Sequence, residues 1–314
     1  MKIFSKVIFV VVFSIMVYVA FLIISDVNTI SNELSNFQLE YLPIILALIL
    51  SGYFSLIFRW KLILKKSEII IPNSSSILIF MGGISLAIIP GKAGELIKSE
   101  LLKIKFNIPR SKSVPIVIVE QVYSGIGLVI TSLFGIYYFE LGIYVTAGFS
   151  LIVFLIFLLL SSTKLFEKFS LILKRIKFLE KHLENISNSH FVIKNLISGK
   201  FAGILIALSI LFWISISSSV YFILVAFGID IFELFEIWSM YTSSIMLGFV
   251  SFLPIGIGVV EGTFAGFMAY RGIDISIALT LIIIVRLLVE WLPISAGFIC
   301  LKLIYNKKSY DNEN

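Results

Sequence analysis

The sequence predicts an all-α integral membrane protein: about six spanning helices and two shorter re-entrant hairpins, built as an inverted-topology repeat of helix, hairpin and helix. Three observations predict it. The chain is 59% hydrophobic and 14% charged, against about a quarter charged in a soluble domain. Several apolar runs reach about 20 residues, enough to cross a bilayer core of about 30 Å, and none shows the alternation of a membrane β-barrel strand. Basic residues collect in some connections and are missing from others. Lipid offers no partner to backbone N–H and C=O groups, so the long runs are helices.

The spans fall at Ile3 to Ile24, Tyr41 to Leu62, Val114 to Tyr138, Ile143 to Leu160, Phe201 to Phe227 and Ser276 to Leu301. The first follows Lys2 and Lys6 but is too long for a signal-peptide core and ends in large residues, so it reads as a retained helix. Two further apolar segments, Ile77 to Pro90 and Ile237 to Pro254, are short or broken. The whole chain, 1–314, reads as one membrane domain, with repeat 1 over about 41–138, repeat 2 over about 201–302 and a connector over about 161–200.

Charge sets the orientation. The connections Ser25 to Glu40 and Gly228 to Glu236 hold acids and no Lys or Arg. Lys61, Lys65, Lys66, Lys98, Lys103, Lys105, Arg110 and Lys112 surround the first short segment, and Lys164 to Lys181 and Lys302 to Lys308 add two more basic clusters. The positive-inside rule then places both termini in the cytoplasm of a plasma-membrane protein, with Lys92, Arg271 and Arg286 outside the cytoplasmic set. With that topology each short segment must leave and re-enter the same face. The net charge of +6 follows from the same rule and carries no suggestion of nucleic acid. In the connector, Leu165, Phe169, Ile172, Ile176, Leu179, Leu183 and Ile186 recur at helical spacing between Lys168, Arg175 and Lys181, which predicts one basic amphipathic helix on the anionic lipids of the inner leaflet. His182 and His190 fall there as lone, solvated residues, and Cys300, the single cysteine, precludes an intrachain disulfide.

The two short segments resemble each other. One carries Pro90, Gly91, Lys92, Gly94 and Glu95; the other carries Pro254, Gly256, Gly258 and Glu261. With a one-residue gap, Asn107 to Gln121 lies over Gly272 to Arg286. Interrupted helices at matching places in two halves point to a transport site near the midplane.

Six ionisable residues fall at membrane depth: Lys92, Glu95, Glu120, Glu261, Arg286 and Glu290. A charge there costs about 2.5 to 3.5 kcal/mol on insertion scales, so it faces a cavity or a partner. Arg286 lies too deep to snorkel and needs an anion: Glu261, Glu290 one turn on, or a substrate phosphate. Lys92 beside a helix start is suited to an anion, whereas Glu95 and Glu261 have a plainer alternative as helix caps. Gly258, Gly262 and Gly266 have the spacing of a close helix contact. No Walker-type loop, zinc-ligand cluster or soluble catalytic domain is visible, so neither a cofactor nor enzymatic activity is expected.

The stretch GGISLAIIPGKAGELIKSELLKIKFNIPRSKSVPIVIVE, Gly82 to Glu120, and the stretch FLPIGIGVVEGTFAGFMAYRGIDISIALTLIIIVRLLVEWLPISAG, Phe252 to Gly297, resemble the two conserved blocks of the lysylphosphatidylglycerol synthase transmembrane, or flippase-like, family. The resemblance implies two inverted halves and the movement of a phospholipid or polyprenyl-phosphate lipid between leaflets, with membrane lipid as the substrate partner. Some relatives carry an aminoacyl-lipid synthase domain; this chain ends soon after its last apolar run, so that activity is not expected. The family usually has Glu-Arg where this chain has Glu120-Gln121, which suggests that the first half lacks its basic partner. The competing expectations are an enzyme or accessory subunit in polyprenyl-linked glycan or lipid modification, and a secondary transporter of a small anion.

The orientation is testable with single cysteines in a Cys300→Ser background. Positions in Ser25 to Glu40 and Gly228 to Glu236 are expected to react with an impermeant maleimide from outside the cell, and positions near Lys65 and Lys103 only after the cells are opened. Reaction of both acidic connections from the cytoplasm alone would reverse the topology.

Overall fold

The computed structural model of the chain describes residues 37–89, 94–174, 183–197 and 199–306. Within them the elements are helices and turns: α1 (Leu42–Lys66), α2 (Asn73–Ser85), α3 (Ile97–Phe106), α4 (Arg110–Phe134), α5 (Leu141–Ser161), α6 (Thr163–Lys174), α7 (Leu183–Ile197), α8 (Gly199–Ala226), α9 (Leu234–Val250), α10 (Val259–Tyr270), α11 (Ile275–Arg286) and α12 (Leu292–Asn306). A π-helical turn, Leu287–Trp291, joins α11 and α12 into one rod. Five helical stretches are long and apolar enough to cross a membrane: Leu39–Lys66, Arg110–Phe134, Leu141–Ser161, Gly199–Ala226 and Ile275–Asn306. They match five of the spans read from sequence; the sixth, Ile3 to Ile24, lies outside the described residues, as do Pro90, Gly91 and Lys92.

Hydrophobicity alone does not hold such helices together, because lipid tails are as apolar as the helix surfaces. Small residues and polar seams do. α1 and α8 meet at Gly52, beside Phe212 and Ile216. α4 passes α8 at Gly127, where an added Cβ would lie 2.7 Å from the Ser209 backbone. Hydroxyls tie the same seams: Ser132 lies 2.7 Å from Thr146 on α5 and 3.5 Å from Ser239 on α9. Trp213 Nε1 donates to the Ser124 carbonyl at 2.9 Å. α4 is the most enclosed of the spanning helices and α5 the least, so α4 is the central rod and α5 faces outward.

The short helices close on themselves. α2 has 13 residues and α3 has 10, giving about 20 and 15 Å of helix. Lys112 Nζ, just after this excursion, donates at 3.3 Å to the Glu68 carbonyl, just before it. In the second half Arg271, after α10, pairs at 3.3 Å with Glu236 at the start of α9. α2 packs on α12, with Gly297 against the Met81 carbonyl and Gly82 against Leu301. α9 packs on α4, with Gly135 against Phe235. α3 ends at Asn107 with φ +52°, and α10 is followed by Gly272 with φ +94°.

The chain between α9 and α10 is irregular. Pro254–Gly256 is a single 3-10 turn, with left-handed backbone at Phe252, Ile255, Gly256 and Gly258. At Gly256, φ is +67° and a Cβ would fall 2.8 Å from the Gly248 Cα, so only glycine lets the turn close on α9. Gly258, with φ +84°, is the N-cap of α10.

Three expectations need correction. The connector is two helices, α6 and α7, in place of one: α7 buries Ile193, Leu196 and Ile197 against the bundle, and Tyr123 Oη of α4 donates to the Leu196 carbonyl at 2.8 Å. Arg175 to Lys181 lie outside the described residues. His190 is buried and stacked on Phe166 with ring centroids 4.2 Å apart, and burial lowers its pKa; the helical periodicity hid this contact between two elements. Gly262 and Gly266 do not form a helix seam with any described residue, since a Cβ at either meets nothing within 4 Å.

The α4–α8 crossing predicts a steep dependence on residue size. Gly127→Ala is expected to destabilise the protein by about 1–3 kcal/mol, because the added methyl meets backbone that cannot rotate away. Thermal denaturation in detergent, compared with Gly203→Ala at a site with open space, measures it.

Candidate functional site

Seven charged side chains among the described residues, five buried and two half-buried, fall into two groups around one cavity. The first group belongs to the first half. Glu95 lies in the turn before α3, Lys98 in the first turn of α3, Glu120 in mid-α4 and Arg59 on α1. Lys98 Nζ is 3.0 Å from Glu95 Oε2 and 2.9 Å from Glu120 Oε2, and it also lies over the rings of Phe80 and Trp60, at 4.6 and 5.4 Å. Arg59 is 3.7 Å from Glu120 and donates to Ser209 at 2.6 Å; its second nitrogen reaches Ser124 at 3.5 Å. Gln121 Nε2 donates to Glu95 Oε2 at 2.6 Å.

The second group is built by the irregular turn, α10 and the last rod. Glu261, in the first turn of α10, accepts the Gly258 N–H at 2.7 Å and caps its helix. Its other oxygen accepts from Arg286 Nε at 2.9 Å, so cap and ion pair are one carboxylate. Arg286 Nη2 donates to the Ile255 carbonyl at 2.7 Å, and Nη1 lies 3.2 Å from Glu290. One guanidinium thereby ties α10, the irregular turn and the π-turn.

Why the rod widens here follows from Pro293. Proline has no N–H to continue the α-helical ladder, and its ring presses on the preceding turn. The rod answers with the π-turn, a feature frequent at functional sites. The Val289 carbonyl, four residues before Pro293, accepts instead from Tyr53 Oη on α1 at 3.3 Å.

The cavity has a volume of about 250 Å³. Its polar lining is Tyr53, Arg59, Glu95, Lys98, Glu120, Gln121, Ser124 and Glu290; Phe249, Phe252, Leu253 and Gly256 come from α9 and the irregular turn. Glu95 and Glu290 are the partly exposed carboxylates, at 12% and 22% of the side chain, while Arg59, Lys98, Glu120, Glu261 and Arg286 stand at 2% or less.

Of the residues read from sequence as a site, Glu95, Glu120 and Glu290 line this cavity, and Glu261 and Arg286 stand directly behind Glu290. Gly94 is buried before α3, and Pro254, Gly256 and Gly258 shape the irregular turn. Two cations were missed. Lys98 had been counted among the cytoplasmic bases, and it is buried; Arg59 had not been singled out within its span. They correct the expectation of a first half without a basic partner: Gln121 replaces the arginine, and Lys98 and Arg59 supply the charge. An arginine seven residues inside the end of α1, and a lysine one turn after Glu95, were the available signals.

Helices long and apolar enough to cross a membrane, packed around a largely buried set of ion pairs, define a polytopic α-helical membrane protein with a polar interior. The lysylphosphatidylglycerol synthase TM region matches residues 7–297, and the chain belongs to that family. A "UPF0104 membrane protein" of Methanothermobacter thermautotrophicus is 33% identical over 92 residues, which is 29% of this chain and 27% of that protein.

Arg286 is held by two hydrogen-bond acceptors, Glu261 and the Ile255 carbonyl, and by an ion pair with Glu290, and this predicts a structural penalty. Arg286→Gln is expected to cost about 3–5 kcal/mol by leaving Glu261 buried without its cation. Adding Glu261→Gln should recover most of the loss. Melting temperatures of the two variants in the same detergent measure it; equal stability of both single and double variants to the parent would show that the pair does not brace the fold.

Proposed function

We propose that this protein moves the charged head of a lipid across the bilayer through the central cavity, with the tails remaining in the membrane. The observation that carries the reading is the cavity itself, where ionisable groups of both halves meet an apolar wall. Phe252 lines it and is 72% exposed, a large apolar ring at the cavity edge that supports a side opening through which tails can trail. The head would be a phosphate-bearing one, of a phospholipid or a polyprenyl-phosphate lipid. Arg59 and Lys98 are the cations within the cavity wall, and Arg286 supports it from behind through Glu290.

The same reading takes the two halves as inverted repeats and the two short excursions as re-entrant hairpins. Several pairings support it under the one alignment read from sequence. Asn107 and Gly272 carry the left-handed residue after the second arm. Pro109 and Asp274 are the N-caps of the next helices. Glu95–Gln121 corresponds to Glu261–Arg286. Each first arm packs on the last helix of the other half, and each excursion is latched at its mouth, by Lys112 on Glu68 or by Arg271 on Glu236. Both mouths being latched beside the start of their own segment supports entry and exit at one face. The exposed Leu165 and Phe169 of α6, beside Lys168, suit a helix resting on an anionic inner leaflet, consistent with cytoplasmic termini in the plasma membrane.

Arg59 gives the sharpest test. Glu120 keeps Lys98 when Arg59 is removed, so Arg59→Gln is expected to remain folded. Losing one charge-assisted contact to phosphate should slow transport by about 10- to 100-fold. Purified protein in vesicles, with a fluorescent phospholipid placed in one leaflet, measures the rate, and entrapped inorganic phosphate measured in parallel separates a lipid from a soluble anion. Parental rates in a folded Arg59→Gln protein would remove Arg59 from the pathway.

A further inference from the structure

We propose that the first-half wall of the cavity is a subsite for a phosphate head that also bears a hydroxyl, with Gln121 as the residue that reads the hydroxyl. The inference rests on the lipid-transport reading for its cargo and adds the class of head, a phosphate followed by one compact polyol. Of the residues that line the cavity, two hold a buried polar atom with no partner among the described residues. One atom is an acceptor, Gln121 Oε1; the other is a donor, Arg59 Nε. A buried polar atom left without a hydrogen bond is costly, so a pair of them in one cavity wall points to something that enters and completes them.

The surrounding contacts hold both atoms in place. Gln121 Nε2 donates to Glu95 Oε2 at 2.6 Å. Turning the amide over would set its oxygen against that carboxylate, so Oε1 is the end left over. Arg59 has both terminal nitrogens engaged: Nη1 on Ser209 at 2.6 Å, and Nη2 on Ser124 at 3.5 Å and Glu120 at 3.7 Å. Its Nε is the donor that remains. Ser124 follows Gln121 by one turn of α4, on the same face, so the guanidinium reaches the helix beside the amide.

The two atoms ask for different partners. Arg59 Nε suits a phosphate oxygen, which accepts. Gln121 Oε1 needs a donor, which a phosphate diester lacks and a hydroxyl on the carbons beyond it supplies. A phosphoglycerol or phosphoinositol head carries both groups and completes the wall at both points. An ammonium also donates, but it would enter beside Arg59 and Lys98, and the partly exposed carboxylates Glu95 and Glu290 each face a cation already, at 3.0 and 3.2 Å. The cavity volume of about 250 Å³ lies below the roughly 300–1,000 Å³ of sites for drug-sized ligands, so the polyol is one small unit in place of a glycan chain.

Melting of the purified protein in detergent, titrated with short-chain lipids that share tails and differ in head, reads the subsite without transport. Phosphatidylglycerol and phosphatidylpropanol have heads of the same length and charge and differ in their hydroxyls. The parent is expected to bind phosphatidylglycerol about 3- to 10-fold more tightly, the gain of one hydrogen bond to a buried acceptor. Gln121→Met fills the same space without the amide and, melting cooperatively, is expected to bind the two alike. The comparison within the parent tests the subsite even without a folded variant. Equal binding of the two heads by the parent, tighter binding of phosphatidylethanolamine than of phosphatidylglycerol, or a preference kept by Gln121→Met overturns the hydroxyl subsite. In vesicles, fluorescent forms of the same lipids should move in the order in which they bind. Binding in the expected order by a protein that moves none of them leaves the subsite standing and removes the lipid-transport reading.

Discussion

Lys98 cannot leave the interior of this protein, and much of the first half is arranged around that fact. A buried ammonium needs anions on more than one side, and it receives Glu95 from the turn before its own helix and Glu120 from α4. Those two contacts fix how close α3 lies to α4 and how the turn before α3 is folded. Arg59 then attaches α1 to Glu120 and, through Ser209, to α8. Four helices are thus held by charges that no lipid could solvate. Apolar packing fills the space between them but has no preference for one helix neighbour over another in a bilayer.

The second half solves the same problem with a different inventory. A single guanidinium, Arg286, replaces the lysine and the glutamine together, since its planar fork reaches Glu261, a backbone carbonyl and Glu290 at once. A lysine has the charge but not the reach. The carbonyl it binds belongs to Ile255, in a turn whose left-handed backbone leaves acceptors unpaired, so the arginine both neutralises a carboxylate and satisfies irregular backbone. Pro293 adds a second dislocation on the same rod, answered by Tyr53 from α1. Irregular backbone inside a membrane is tolerated where protein covers it, and here the Ile255 and Val289 carbonyls each receive a side-chain donor, Arg286 and Tyr53.

The described spans were legible because their signal is long: a run of about 20 apolar residues survives uncertainty at either end. Positions of Glu95, Glu120, Glu261, Arg286 and Glu290 were legible for a related reason, as charges in places where charge is expensive. Lys98 was not. Orientation rules assign a base by the connection it lies near, and Lys98 stands among true surface bases, Lys103, Lys105 and Arg110, on a short helix with one face inward. Arg59 lay near enough to the end of α1 to pass for an interfacial residue. His190 and the division of the connector into α6 and α7 were invisible for another reason: the periodicity of one amphipathic helix also fits two helices that bury the same face against a third element.

The asymmetry between Gln121 and Arg286 carries the remaining argument. Under the repeat alignment they hold equivalent posts, each bound to the glutamate at the start of its excursion. A glutamine there can donate to Glu95 but cannot neutralise it, so the first half must import a cation, and Lys98 and Arg59 arrive from α3 and α1. An arginine there neutralises Glu261 in place, and the helix it sits on can then carry a further carboxylate, Glu290, one turn later. The cavity consequently has unlike walls: on one side a balanced network with its cations at the surface of the space, on the other a carboxylate with its cation behind it. Two groups with identical inventories would give the cavity two walls of like charge. The two walls of the cavity therefore differ in charge, and a single side-chain difference, Gln121 against Arg286, is enough to create that difference.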